Sequence, residues 1–272
     1  MNPPVALTVA GTDSGGAAGT AADLATFAAL GVHGACVITA VTAQDTTGVS
    51  DIHAVPIATV EAQLRAVFDD LPVAAVKTGM LGSAEAVELV ARLCADRPLV
   101  VDPVLVATSG AVLGGEDVRR AYLDHLLPVA TVVTPNLDEA RALAGRDESP
   151  KELAIALADA STSGCAVIVT GGDPEATGTC TDWLAEPGKP PIPLTHPAVP
   201  TSNDHGTGCT YSSALAAHLA HGASLRDAAE QAAAYVTRQL AASRHWTLGR
   251  GRGPIAHLAT NQLSPTSIKE TA

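Results

Sequence analysis

Asn203-Asp-His-Gly-Thr-Gly-Cys-Thr210 is the segment of this chain best suited to chemistry. Its glycines stand just ahead of a stretch in which Tyr211, Leu215 and Leu219 recur at helical spacing. Glycines before a helix let backbone N–H groups converge at its positive end, where they hold an anion. A phosphoryl group in transfer carries charge on its oxygens that such a nest stabilises. Cys209 falls in the first helical turn, which favours a thiolate. The same string also reads as a glycine-rich helix start with an inert, buried cysteine.

Other groups carry less by themselves. Asn136 and Glu139 have the spacing of an N-cap and its capping-box partner. Asp102 follows an apolar run and suits a carboxylate that caps the next turn. No Gly-x-x-x-x-Gly-Lys-Ser/Thr occurs, and none of the four lysines follows a glycine-rich loop, which excludes a P-loop enzyme. Gly11-Thr-Asp-Ser-Gly-Gly16 does not match a dinucleotide fingerprint either.

The elements that must position these groups alternate. Val5–Ala10 reads as a buried strand, Gly11–Gly19 as a loop and Thr20–Leu30 as a helix with Leu24, Phe27 and Leu30 on one face. Strands are expected at 36–39, 73–76, 99–101, 131–133 and 167–169. Helices are expected at 59–68, 84–94, 117–127 and within 137–160. Strands and helices in this order imply a mainly parallel sheet covered on both faces. Residues 179–184 and 191–194 suit a hairpin at the sheet edge, and 208–220 and 225–242 suit two closing helices. We expect one domain over residues 1–272, with a mobile tail from about residue 258. Ligands of such sheets bind beyond the carboxyl ends of the strands, so Gly11–Gly19, Thr42–Thr46, Lys77–Leu81, Asp102–Gly110, Thr134–Glu139 and Thr170–Asp173 are the segments to watch.

Composition narrows the function. The 272 residues are 47% hydrophobic, 16% charged and 3% aromatic, with a net charge of −12. That balance fits a packed globular chain and argues against a nucleic-acid groove, which needs clustered cations. A phosphorylated small ligand stays open, since backbone N–H groups hold phosphate without net positive charge. No apolar stretch has the length of a membrane helix, and five scattered cysteines without a C-x-x-C pair suit a reducing cytoplasm.

Six short strings and one single residue then occur in order: Ala10-Gly-Thr-Asp-Ser-Gly-Gly16, Asp23, Thr42-Ala-Gln44, Lys77-Thr-Gly-Met-Leu81, Val101-Asp-Pro-Val104, Thr134-Pro-Asn-Leu-Asp-Glu139 and His205-Gly-Thr-Gly-Cys-Thr210. From about Ala6 to His257, where Gly249-x-Gly-x-Gly-Pro254 also fits, the chain resembles the hydroxymethylpyrimidine/phosphomethylpyrimidine kinases of thiamine biosynthesis. The resemblance implies a three-layer α/β/α ribokinase-like fold and an ATP- and Mg²⁺-dependent phosphotransferase. It implies that Gly11, Asp23, Gln44, Met80 and Val106 hold an aminopyrimidine. A carboxylate and an amide suit its ring nitrogens and exocyclic amine. It places Asn136, Thr170 and Gly172 at the nucleotide, and Asp102 and Glu139 near the metal. Gly206, Thr207, Gly208 and Cys209 become the anion hole, with Cys209 where sugar-kinase relatives carry an aspartate base. The implied partner is a small molecule, with neither nucleic acid nor membrane, and a homodimer is compatible with it.

The chain also departs from that pattern. Ala107-Thr-Ser-Gly110 replaces Ala-Lys-Ser-Gly, and Thr170-Gly-Gly-Asp173 replaces Lys-Gly-Gly-His. Ser202-Asn-Asp-His205 replaces Lys-Asn-Thr-His, and Ala17, Thr20 and Ala21 also differ. Positive charge near the phosphate path is lost, and Asp173 and Asp204 add negative charge unless magnesium or an arginine offsets it. A pyridoxal or pyridoxine kinase is the alternative enzyme, and a pyrimidine-binding homologue with weakened catalysis the alternative outside catalysis.

Overall fold

Strand β1 (Val5–Ala10) is buried along its whole length, and its side chains divide between two cores. Val5, Leu7 and Val9 enter one core and Ala6 the other. The same period of two recurs in β6 (Leu99–Val101) and β8 (Ala166–Val169): Leu99, Val101, Val167 and Val169 face the first core, and Val100, Ala166 and Ile168 the second. A strand apolar on both faces is stable only with helices above and below it. That is the arrangement found in a computed structural model, which describes residues 2–105, 113–161, 163–171 and 178–257.

Among the described residues the main sheet has eight strands, in the order β10-β9-β8-β7-β6-β5-β1-β2. Here β2 is His33–Ile38, β5 Val73–Thr78, β7 Val132–Val133, β9 Thr179–Ala185 and β10 Ile192–Pro197. All neighbouring pairs from β2 to β8 are parallel, and β9 pairs antiparallel with both β8 and β10. Helices α2 (Ile57–Asp70), α3 (Ala84–Cys94), α4 (Glu116–Ala121), α5 (Leu137–Ala144) and α6 (Pro150–Ala160) cover the first core. Helices α1 (Gly19–Ala29), α7 (Thr207–Ala220) and α8 (Leu225–Ser243) cover the second. In that layer Ala214, Ala216 and Ala217 meet Ala228, Ala229 and Ala232, all fully buried, so the alanine content serves close helix packing. The expected alternation, edge hairpin and three layers are all present, and β1 lies between β2 and β5 at the point where the chain switches sides.

Two details differ from expectation. Residues read as a loop form an antiparallel ribbon, β3 (Ala40–Asp45) with β4 (Gly48–Ala54), outside the main sheet. Its apolar residues, Val41, Val49 and Ile52, stand singly among small and polar ones, so no apolar period announces it. The helix expected over 117–127 ends its α-turns at Ala121 and continues as a π turn, Tyr122–Leu126, and a 3-10 turn, Leu127–Val129. Pro128 lacks an N–H and cannot stay in a regular α-ladder. The helices expected within 137–160 are α5 and α6, divided at Gly145, a left-handed C-cap with φ of 64°, before Ser149 caps α6. The tail expected from about residue 258 lies outside the described residues.

Candidate active site

The loop after β1 is organised by Asp13. Its carboxylate accepts the N–H groups of Gly15 (2.8 Å), Ala17 (3.1 Å) and Ala18 (2.8 Å) just ahead of α1. His205 Nε2 lies 3.2 Å from Asp13 Oδ2 and 3.3 Å from Gln44 Nε2. Burial opposes the charge on Asp13, yet the His205 contact and the Gly15 and Ala18 N–H groups outweigh it and hold the carboxyl below its ordinary range. The Asp13–His205–Gln44 line thus ties the first loop, the ribbon and the lead into α7 together. Gln44 sits where the ribbon register shifts after Ala43, a bulge that re-aims its side chain. Its backbone is pinned to the first loop by Ser14, whose Oγ accepts Gln44 N–H (2.8 Å) and donates to Gln44 O (2.7 Å). Met80 stands opposite: its carbonyl accepts the Gly11 N–H (3.1 Å), and a Cβ at Gly11 would strike the Met80 methyl. Gly11, Gln44 and Met80 are therefore brought to one end of β1.

Asp23 is not on that wall. It is fully buried and holds Lys77 Nζ at 2.7 Å, Thr8 Oγ1 at 2.6 Å and Ser213 Oγ at 2.7 Å. Three donors occupy most of this buried carboxylate, which thereby supports Lys77. Lys77 is itself fully buried on β5. Burial alone would lower its pKa, but the Asp23 carboxylate, by charge and hydrogen bond, and the Asp102 charge outweigh that and raise it, so it stays a cation.

Gly206 is the N-cap of α7 with φ of +92°, and a Cβ there would collide with the Ala17 carbonyl oxygen. Only glycine lets the helix start approach the first loop so closely. No side chain caps α7. Thr207 N–H turns back to Asp204 O (3.2 Å), which leaves the first-turn N–H groups of Gly208 and Cys209 to meet an anion. A Cβ on Gly208 would lie 3.8 Å from Asp102 Oδ2, so the helix start faces that carboxylate. Cys209, half-buried, accepts the Gly19 N–H at the start of α1. Burial pushes its thiol up to about 12, with Lys77 lowering and Asp102 and Asp23 raising it. The lowered pKa expected from the helix end is thus overturned: at neutral pH Cys209 rests as a thiol. The added charge of Asp204 is offset, because Arg252 pairs with it (Nη2 to Oδ2, 2.6 Å).

On the other side, Asn136 and Glu139 form a true capping box, Glu139 N–H to Asn136 Oδ1 at 2.9 Å and Asn136 N–H to Glu139 Oε2 at 3.0 Å. An isolated parallel bridge sets Thr170 beside Asn136, so these two share the mouth of the site. Val106 and Gly172, like Asp173, lie outside the described residues. Asp102 is buried and takes Ser212 Oγ at 3.1 Å. Burial, with Lys77 and Ser212 opposing it and Asp23 adding to it, lifts Asp102 to about 6. Burial and the Asp102 charge lift Glu139 to about 8. Two buried carboxylates that repel each other and offer hard oxygen ligands fit a divalent cation. The sign follows from linkage: with folded values above the unfolded ones near 4, their contribution is full below about pH 4 and lost as pH rises through about 6 to 8. We expect Mg²⁺ to raise the melting temperature at pH 8 and to have little effect at pH 5. Equal shifts at both values in a thermal melt would show that the cation does not meet this pair.

Several members of the site went unassigned in the sequence. Lys77 had a signal, a lysine inside the otherwise apolar run Val73-Ala-Ala-Val-Lys77. Asp13, with Ser14 and glycines beside it, fits a turn by its local string. Thr8, Ser212 and Ser213 carry no signal, since hydroxyls on buried elements look like any others.

A family model of phosphomethylpyrimidine kinase matches residues 13–256. Similar proteins include the hydroxymethylpyrimidine/phosphomethylpyrimidine kinases of Haemophilus influenzae, 43% identical over 94% of this chain and 97% of that one, and of Rhizobium meliloti, 46% identical over 93% and 96%. Among solved structures, the ADP complex of Bacillus subtilis pyridoxal kinase has a TM-score of 0.83 at 32% identity, covering 94% of this chain and 97% of that one. Phosphomethylpyrimidine kinase of Clostridium difficile has a TM-score of 0.72 at 31% identity, covering 86% and 98%. The layered sheet is thus a ribokinase-like fold. With the match running through the first loop, the buried lysine and the glycine-rich start of α7, the chain belongs to the phosphomethylpyrimidine kinase family.

Proposed function

We infer that this protein is a kinase that transfers the γ-phosphoryl group of ATP to the hydroxymethyl group of 4-amino-5-hydroxymethyl-2-methylpyrimidine, in thiamine biosynthesis. Its second step would carry the monophosphate to the diphosphate. The observation that carries the reading is the uncapped start of α7, opening between Asp102 and the loop that holds Gln44. Curated relatives at 42–46% identity bear the same activity in their names. Purified protein should release ADP with the aminopyrimidine and Mg-ATP. ADP release with pyridoxal alone would replace this reading with the second one, which the pyridoxal kinase likeness favours.

In this reading Gln44 pairs its amide with the ring and its exocyclic amine, while Met80 and Gly11 flank the ring. Gln44→Leu leaves those polar groups unpaired and should weaken aminopyrimidine binding by about 1–3 kcal/mol. Calorimetry with unchanged affinity would remove Gln44 from the site. Asn136 and Thr170 stand on the nucleotide side, and Asp102 and Glu139 are the groups to hold magnesium. Magnesium there would neutralise charge on the transferring phosphates. The N–H groups of Gly208 and Cys209 point at the transferring group and need no reorganisation. Cys209 meets the substrate hydroxyl as a thiol, so it first gives its own proton to solvent, and the sulfur then takes the hydroxyl proton as the new O–P bond forms and the bond to ADP breaks. Lys77 offsets the negative charge that the sulfur carries in between.

The single kinase domain is part of the proposal, resting on the continuity of the eight-stranded sheet. So is a homodimer: the ribbon stands outside that sheet with Val41 and Ile52 half exposed, and sedimentation reads the state. No helix among the described residues is long and apolar enough to cross a membrane. Cytoplasmic residence is proposed from the scattered cysteines, which no disulfide joins.

A further inference from the structure

Cys180 and Asp182 lie two apart on β9, so they project from the same face of the edge hairpin. His196 on β10 is the direct cross-strand partner of Cys180 and shares that face. The Sγ, carboxylate oxygen and imidazole nitrogen of these residues all lie within 4.8 Å of one another. His196 Nε2 is 3.3 Å from Asp182 Oδ2. Ligand atoms about 2.0–2.1 Å from a tetrahedral zinc stand about 3.3–3.4 Å apart, so this edge already has the required length.

The surroundings hold the three groups in place. His196 Nδ1 lies 3.4 Å from Pro197 O and Nε2 faces the Asp182 carboxylate, so both ring nitrogens donate in the metal-free protein and zinc takes the place of the proton on Nε2. The second oxygen of Asp182 accepts the Gly171 N–H at 3.0 Å, which fixes the carboxylate plane. The Asp182 side chain is 4% exposed and that of His196 22%, so the cluster is built into the protein yet open to solvent on one side. Beside it, the buried Tyr211 hydroxyl has no hydrogen-bond partner among the described residues and feels the Asp182 charge. A water in an open fourth coordination position is the kind of group that satisfies such a hydroxyl.

We propose that Cys180, Asp182 and His196 form a zinc site at the sheet edge, separate from the kinase centre. Thiolate, imidazole and carboxylate together select a borderline-soft ion over magnesium, and three protein ligands leave one position for water. Binding releases the Cys180 thiol proton and the His196 Nε2 proton to solvent. The inference does not rest on the kinase reading, because no member of the trio takes part in it.

The test uses the full chain, stripped of metal with a chelator and titrated with zinc chloride by calorimetry. Cobalt chloride in parallel reports on sulfur ligation. We expect one equivalent to bind, and cobalt to give a near-ultraviolet thiolate charge-transfer band that survives Cys209→Ser. Cys180→Ser should abolish the band, and both Cys180→Ser and His196→Ala should weaken zinc binding by about 100-fold or more. No saturable binding would overturn the proposal. So would binding that both variants leave intact, or a band lost in Cys209→Ser instead, since each leaves the trio as a plain cross-strand ion pair.

Discussion

Cys209→Ser keeps the fold and the ligand affinities and lowers the single-turnover rate of phosphoryl transfer by about 10²-fold or more. Serine is nearly isosteric, so packing at the start of α7 is preserved and only the acidity of the group changes. The thiol is already pushed up to about 12 by burial and by the Asp102 and Asp23 charges. A serine hydroxyl is harder still to ionise, and the stabilisation from Lys77 no longer brings its anion within reach. Pre-steady-state rates at saturating substrate decide the matter. Equal rates in the two proteins would make the sulfur a filler and leave catalysis to the N–H groups and the cation. A second readout addresses the resting state: alkylation of Cys209 at pH 8 should be slower than that of an ordinary exposed thiol. Fast alkylation would restore the thiolate that a helix N-terminus by itself predicts.

Lys77→Met is expected to destabilise the protein by about 3–5 kcal/mol, because it strands Asp23 as a buried carboxylate without its cation. Thr8 and Ser213 still donate to Asp23, but two hydroxyls do not replace a full charge. For a protein with about 5–15 kcal/mol in total, that is a large share. Denaturant unfolding gives the loss directly. The double variant Lys77→Met/Asp23→Leu removes both charges and should recover part of the stability, leaving only the Thr8 and Ser213 hydroxyls without their acceptor. Phosphoryl transfer should stay low in the double variant, since the cation beside Cys209 is gone in either case. Recovery of activity together with stability would show that Lys77 serves folding alone. No loss of stability in the single variant would contradict the ion pair itself.

The layers of the fold were legible because both faces of each central strand must be apolar, and runs such as Leu99-Val-Val101 say so directly. The glycine-rich start of α7 was legible for a similar reason, since only glycine tolerates the positive φ and close approach found at Gly206. The ribbon carrying Gln44 was not, because its few apolar residues stand singly among small and polar ones and leave no period to read. Nor was the role of Asp23, whose placement on a helix face says nothing of whether water or Lys77 lies opposite. The sequence by itself determined the order of the main-sheet strands and their covering helices, the family and the segments that meet at the strand ends. Tertiary structure alone decided which carboxylates are paired and which are crowded, and so which way Cys209, Asp102 and Glu139 titrate. Charge interactions depend on distance and burial, and residues as far apart in the chain as Asp23, Lys77 and Cys209 acquire both only when the sheet and its helices close over them.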